Sequence, residues 1–230
     1  MLDAIYAAYS VEWLRIPPDG AVDLVTEHAI HASQLLLAAL PGNHEVRGLA
    51  SLLLYLHSRD AARLKDGVLV PLDEQDPRLW DHHLIRTAEA ILRDGLSGDR
   101  PTTPGPYELQ AVIQTAHALR SRNGHTPWNT IAQLYDALVQ VTPSRGAAVA
   151  RAAAIGHADS PGTGLSVLDQ LIAQDPALAT FQPYHATRAA LLRLSGAPEE
   201  LYQVALARAI DLCTHPPSRR YLTCMQRVSE

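Results

Sequence analysis

An all-α fold, built as a tetratricopeptide-like stack of paired helices, is what this sequence predicts, and three observations carry the prediction. Apolar residues recur at helical spacing along nearly the whole chain. Alanine and leucine dominate a hydrophobic content of 47%, with a single phenylalanine among 230 residues. Small side chains and leucine let helices approach closely, which suits helix-on-helix packing better than a sheet sandwich. From Pro127 onward the pattern is periodic: LYDALVQVTP ends at Pro143 and VLDQLIAQDP ends at Pro176, with Leu138 and Leu171 in matching places. A helix pair recurring about every 34 residues is the tetratricopeptide period. About eleven helices are expected, stacked as a right-handed superhelix with a groove for partners.

Taken in order, a first helix runs from about Leu2 to Ile16 and stops at Pro17-Pro18-Asp19-Gly20. A second, Val22 to Leu40, carries Val25, Ala29, Ala32, Leu36 and Leu40 at helical spacing and ends at Pro41-Gly42. A third covers about Glu45 to His57. The pattern then breaks at RLKDGVLVPLD, where Asp66-Gly67 is a turn dipeptide and Val68, Leu69 and Val70 favour extended backbone; a small hairpin-like arm is expected near 64–72. Asp76-Pro77 restarts helix as N-cap and first helical residue, to about Leu96. After the loop SGDRPTTPG, Pro106 opens a helix to about Arg120, and SRNGHT leads to the next start at Pro127. Arg151-Ala152-Ala153 is echoed by Arg188-Ala189-Ala190, and the last helices span about Glu199 to Leu212 and Ser218 to Val228. The organisation expected is an N-terminal helical part, 1–126, and a repeat part, 127–230, in one continuous domain.

Bulk properties narrow the function. A formal net charge of -5 argues against direct nucleic-acid binding, which needs a basic face to displace counterions. Two cysteines, Cys213 and Cys224, fit reduced, packed thiols in a cytoplasmic protein. Met1 leads into LDAIYAAYSVEWLRI with no basic n-region, so no signal peptide is expected. No apolar run reaches the roughly 18 residues a membrane span requires.

Motifs for chemistry are weak. His28 and His31 stand at i and i+3 and His82-His83 are adjacent, but the zinc-protease spacing and Cys-x-x-Cys are absent, so neither metal nor cofactor is expected. No G-x-S-x-G occurs, and Gly162-Thr163-Gly164 reads as a helix-connecting loop. The densest local signal is LDEQDPRLWD, Leu72 to Asp81. There Asp76 has a capping job, Trp80 can bury its ring while donating its indole N–H, and Arg78 can pair with Asp73, Glu74 or Asp81. The block reads either as a structural staple between arm and helices or as the lining of a ligand or partner site. Trp128, with Ile131 and Tyr135 on its face, and Tyr107 and Tyr184 have the same double reading of core packing or recognition. No catalytic residue is assigned.

Several segments together carry a family resemblance: LDEQDPRLWD, PGPYELQAVIQTAHA, WNTIAQLYDAL, ARAAAIGHAD and YHATRAALLRLSG, with IYAAYS and AIHASQLLLAALP before them. In order and spacing they resemble the long C-terminal extension of a group of extracytoplasmic-function RNA polymerase sigma factors. The resemblance implies a tetratricopeptide-like domain behind the two sigma regions, where it controls or supports the attached factor. Matched positions are Asp73, Gln75, Asp76, Arg78, Trp80, Asp81, Tyr107, Gln110, Trp128, Tyr135, Asp136 and Arg151. The chain departs from the family where Ser10-Val11-Glu12-Trp13 replaces an asparagine-glutamate-glycine-aromatic run, and where Ala150 stands for asparagine. It contains no sigma-like regions and no basic recognition helix, so alone it is not expected to select a promoter. The function expected is regulatory contact with sigma regions or RNA polymerase. The alternative is a small-molecule sensor with a polar pocket around Asp73 to Asp81, Arg63 and Tyr107, and a carboxylate- or metal-dependent enzyme ranks last. The expected binding residues are the matched positions together with Arg63 and Arg188.

Overall fold

The computed structural model describes residues 1–13, 24–94 and 103–228. Its helices, in chain order, are α1 (Leu2–Trp13), α2 (Leu24–Ala39), α3 (His44–His57), the single turn α4 (Asp60–Arg63), α5 (His82–Asp94), α6 (Pro106–Ala118), the single turn α7 (Arg120–Asn123), α8 (Trp128–Val141), α9 (Arg145–Ala158), α10 (Pro161–Gln174), α11 (Gln182–Ser195), α12 (Glu199–Asp211) and α13 (Pro216–Val228). Eleven of these described helices have twelve residues or more. The only described sheet is a hairpin of β1 (Leu64–Lys65) and β2 (Val68–Leu69), so the all-α prediction holds. The predicted stop at Pro17–Gly20, the helix start at Val22 and most of the SGDRPTTPG loop lie outside the described residues. The chain divides into two compact units: Met1–Ala61 with Asp76–Gly124, and Ala62–Gln75 with His125–Glu230.

The first unit is organised around α3. Its sequence, GLASLLLYL, is apolar on every face, and from Gly48 through Tyr55 every residue is buried; a helix apolar all round must be enclosed by others. It packs against α1, α2, α5 and α6. Asn43 caps its start, its Oδ1 accepting from the Glu45 and Val46 N–H groups at 3.0 and 3.1 Å. Arg47 donates from Nη1 to the Ile91 carbonyl at 3.0 Å, satisfying an open acceptor near the end of α5.

Glu45 serves a neighbouring helix. Helix α6 begins after Gly105, which has no side chain to cap it. The Glu45 carboxylate takes that place, accepting from the Tyr107 N–H and the Glu108 N–H, each at 3.0 Å. A carboxylate there also meets the positive end of the helix dipole. The fit requires glycine: a Cβ on Gly105 would lie 2.8 Å from Glu45 Cγ and closer still to the carboxylate. Glu45→Ala should therefore cost about 1–2 kcal/mol, the range for loss of an N-cap, read as a lower urea midpoint with an unchanged slope. An unaltered midpoint would show that water caps α6 equally well. Tyr107, the first of the two residues whose N–H groups Glu45 caps, donates its hydroxyl to Asp3 Oδ1 at 2.7 Å and meets Tyr6 edge-on at 5.7 Å, which ties α1 to α6.

One predicted start is corrected. Asp76-Pro77 opens only a 3-10 turn, Pro77–Leu79, with Asp76 Oδ1 accepting from the Arg78 N–H at 3.0 Å. The chain extends at Trp80, and α5 starts at His82 with Asp81 as its cap: Asp81 Oδ1 accepts from His83 and Leu84 N–H at 2.8 and 3.1 Å.

The second unit opens with the arm. Asp66 and Gly67 have φ of 52° and 72°, the paired left-handed residues of the tight hairpin that Asp-Gly predicts. The strands pair antiparallel, Leu64 with Leu69 and Lys65 with Val68. Arg220 of α13 donates to the Gly67 carbonyl at 3.2 Å, and α13 packs on β2.

From α8 to α13 each helix packs on the next, and α9 also reaches α11. Ser144, Ser160 and Asp175 cap successive elements by accepting from Ala147, Thr163 and Ala177 N–H groups at 3.1 Å. Gly162-Thr163-Gly164, expected in a loop, forms the first turn of α10. The repeat is visible in the ion pairs. Asp136 of α8 pairs with Arg151 of α9, and Asp169 of α10 pairs with Arg188 of α11. Each aspartate stands two residues before the repeated Leu138 or Leu171, and each arginine opens the repeated Arg-Ala-Ala. Ala152 and Ala189, next to those arginines, are both fully buried. Of the two free thiols Cys213 is buried as expected, but Cys224 is exposed on α13 rather than packed.

Candidate functional site

The LDEQDPRLWD block is divided at Gln75: its first part belongs to the second unit and Asp76–Asp81 to the first. In the first unit, Asp76 takes Arg78 as its partner, at 2.7 Å between Nη2 and Oδ2, in place of the predicted Asp73, Glu74 or Asp81. Hydrogen bonds from Arg78, side chain then backbone, hold the Asp76 carboxyl down to about 2. The pair is largely in water, so it orients the turn more than it stabilises it. Trp80 is buried, with the Arg120 guanidinium 5.9 Å from its ring centroid. The Leu84 N–H, helped by the His83 N–H, holds the Asp81 carboxyl below its ordinary range against the opposing effect of burial. Gln110 donates to the Pro106 carbonyl at 3.2 Å within α6. Asp76, Trp80, Asp81, Tyr107 and Gln110 thus each have a structural task in this unit.

In the second unit, Gln75 is buried and donates to the Val70 carbonyl at 3.1 Å, closing the arm. The backbone carbonyl of Arg63 accepts from the Val70 N–H at 2.8 Å. Trp128 stacks on His157 of α9, with centroids 4.2 Å apart and planes 13° from parallel. Tyr135 is half-buried on α8 beside the Asp136–Arg151 pair. Asp73 is exposed at the foot of the arm.

Arg188 leads to an open site on this unit. With its partner Asp169 it flanks a groove of about 760 Å³ between α10, α11 and α12. The exposed face of α12 forms one wall. That helix buries Tyr202, Ala205, Leu206 and Ala209, a complete helical stripe. Leu201 and Val204 lie off that stripe and are left in water, 55% and 72% exposed. Around them stand Arg208 and Asp211 from α12 and His185 from α11, the last within 3.0 Å of the Ala179 carbonyl. Apolar anchors between charges of both signs match what an amphipathic helix or extended segment of another protein presents.

The sequence marks Arg188 as a candidate binding residue but not the apolar wall beside it. The signal was available: in ELYQVALARAI, Leu201 and Val204 lie off the apolar stripe of their own helix. The three helical faces that meet around the groove could not be read that way, because their meeting depends on the packing of α10 to α12.

His28 and His31, the i and i+3 pair of the metal hypothesis, are both exposed on α2, and no group of three His, Cys, Asp or Glu converges among the described residues. No described helix is long and apolar enough to cross a membrane.

Residues 1–96 match a family of unknown function, DUF6596. An uncharacterized protein of Rhizobium meliloti (strain 1021) is 35% identical over 206 residues, covering 89% of this chain and 47% of that protein. The chain thus spans about half the length of the curated relative it matches. No solved structure matches it.

Proposed function

We propose that this chain is a regulatory protein-interaction domain that acts in transcription initiation by docking onto the regions of an extracytoplasmic-function sigma factor. The observation that carries the interaction is the groove between α10, α11 and α12, where Leu201 and Val204 stand in water between Arg188, Arg208 and Asp211. Exposed aliphatic anchors at i and i+3, in a groove with polar rims, are what a folded partner covers. The choice of a sigma factor rests on the resemblance of LDEQDPRLWD, PGPYELQAVIQTAHA and the later segments to that family's C-terminal extension. The Rhizobium meliloti relative has about half its length outside the aligned part, which suits a domain working beside other regions. The reading places the chain in the cytoplasm with RNA polymerase and assigns it no turnover.

Val204→Asp tests it. The site is 72% exposed, so the substitution should leave the fold intact. The purified chain should bind the two sigma regions of such a factor at or below tens of micromolar, and Val204→Asp should weaken that binding tenfold or more by desolvating a charge against the partner. RNA polymerase core, tested in parallel, is the other partner the resemblance offers. No association with either at tens of micromolar would remove the sigma-factor reading. Binding insensitive to Val204→Asp and Leu201→Asp would move the docking surface off the groove.

A further inference from the structure

The second unit contains a separate, smaller cavity of about 240 Å³, walled by the foot of the arm and by α9, α11, α12 and α13. Its floor is apolar and is kept open by small residues: Ala186 and Ala189 on α11 face Leu206 on α12 and Met225 on α13. Charge stands on two sides. On the arm side Asp73 and Glu74 face the cavity, and Tyr221 donates its hydroxyl to Glu74 Oε1 at 2.9 Å, which fixes that carboxylate. Burial first, then the bond to Glu74, pushes the Tyr221 hydroxyl well above its ordinary range, so it remains a donor at neutral pH. On the α11 side stands Arg193, whose Nη1 lies 3.2 Å from the Met225 thioether, a weak acceptor. Neither Asp73 nor Arg193 has an ion-pair partner among the described residues. His157, on the α9 wall, is held below its ordinary value by burial against the opposing pull of Asp73, and it adds no cation at neutral pH.

A cavity of this size is too small for a protein segment and suits a molecule with few heavy atoms. Its chemistry is amphoteric. A lone anion would meet two carboxylates, and a lone amine would leave the guanidinium facing an apolar body. We infer that the cavity binds a small zwitterion of the free amino-acid class, with its ammonium on Asp73 beside Glu74, its carboxylate on Arg193, and an aliphatic or aromatic side chain over the alanine floor. A planar guanidinium with open donors grips a carboxylate through two parallel bonds. The site is independent of the docking groove, sharing neither Leu201 nor Val204 with it.

Thermal shift of the purified chain against each of the twenty free amino acids, followed by calorimetric titration, tests the inference. At least one apolar amino acid should raise the melting temperature at concentrations up to about 10 mM. Asp73→Asn and Arg193→Gln, both at exposed positions, should each weaken its binding about tenfold or more. The amine analogue lacking the carboxylate should bind wild type weakly and lose nothing further in Arg193→Gln. No shift with any of the twenty would overturn the inference, as would a bound amino acid whose affinity survives both substitutions. Neither result bears on sigma-factor binding, which Val204→Asp reports separately.

Discussion

Gly48→Ala should lower the unfolding free energy by about 3 kcal/mol or more, a loss at the upper end for one added methyl group. Alanine favours helix over glycine by up to about 1 kcal/mol, so local propensity predicts the opposite sign. Packing decides. Gly48 is where α3 crosses α6, and a Cβ there would lie 2.6 Å from the Tyr107 carbonyl carbon and 2.7 Å from Glu108 Cα. These are backbone atoms, so no rotamer change relieves the overlap. Separating the helices would pull Glu45, less than one turn earlier on α3, away from the Tyr107 and Glu108 N–H groups it caps. It would also draw Tyr107 from Asp3. Urea unfolding followed by circular dichroism gives the size of the loss. Hydrogen exchange gives its place: protection should fall in α3 and α6 and persist in α11 and α12, which belong to the other unit. A Gly48→Ala protein as stable as wild type would mean that α3 and α6 do not approach as described.

What the sequence made legible is what short-range physics controls. Asp66-Gly67 announced the hairpin because two adjacent residues must take positive φ, and few pairs do so cheaply. The Leu138 and Leu171 register identified the repeat, and the Asp136–Arg151 and Asp169–Arg188 pairs follow it. The failures have a common cause. Asp76-Pro77 satisfies the rule for a helix start, yet Trp80 must be buried, and the chain extends there before α5 begins. Glu45 caps a helix that starts about sixty residues later, and nothing local to either segment signals the pairing. The cavity beside Asp73 draws Glu74, Arg193 and Tyr221 from three stretches of chain that no motif connects. Asp73 and Glu74 stood in a block the sequence singles out, but Arg193 and Tyr221 did not.

The second large effect is expected at Gly164, in the first turn of α10, where glycine allows α10 to rest on α9. A Cβ on Gly164 would stand 2.8 Å from the Ala152 carbonyl oxygen, 2.8 Å from Gly156 Cα and 2.9 Å from Leu191 Cδ1. Two of those three neighbours are backbone, so Gly164→Ala should cost about 2–3 kcal/mol. Gly156→Ala is a different case: the nearest atoms to its Cβ all belong to the Leu191 side chain. Shortening that side chain should relieve it, so Gly156→Ala with Leu191→Val should show a favourable coupling of about 1 kcal/mol, and Gly164→Ala with Leu191→Val should show little. Gly146→Ala near the start of α9 has nothing within 4 Å of its Cβ and should stabilise by up to about 1 kcal/mol. Denaturation midpoints for these variants therefore distinguish backbone contact, side-chain contact and open space along one helix junction. The junction also bears on function, because α10 and α11 carry Asp169 and Arg188 to the groove. Gly164→Ala should weaken partner binding through displaced helices, whereas Gly146→Ala should leave binding unchanged. Equal binding by both variants would mean that the groove does not depend on how closely α9 and α10 approach.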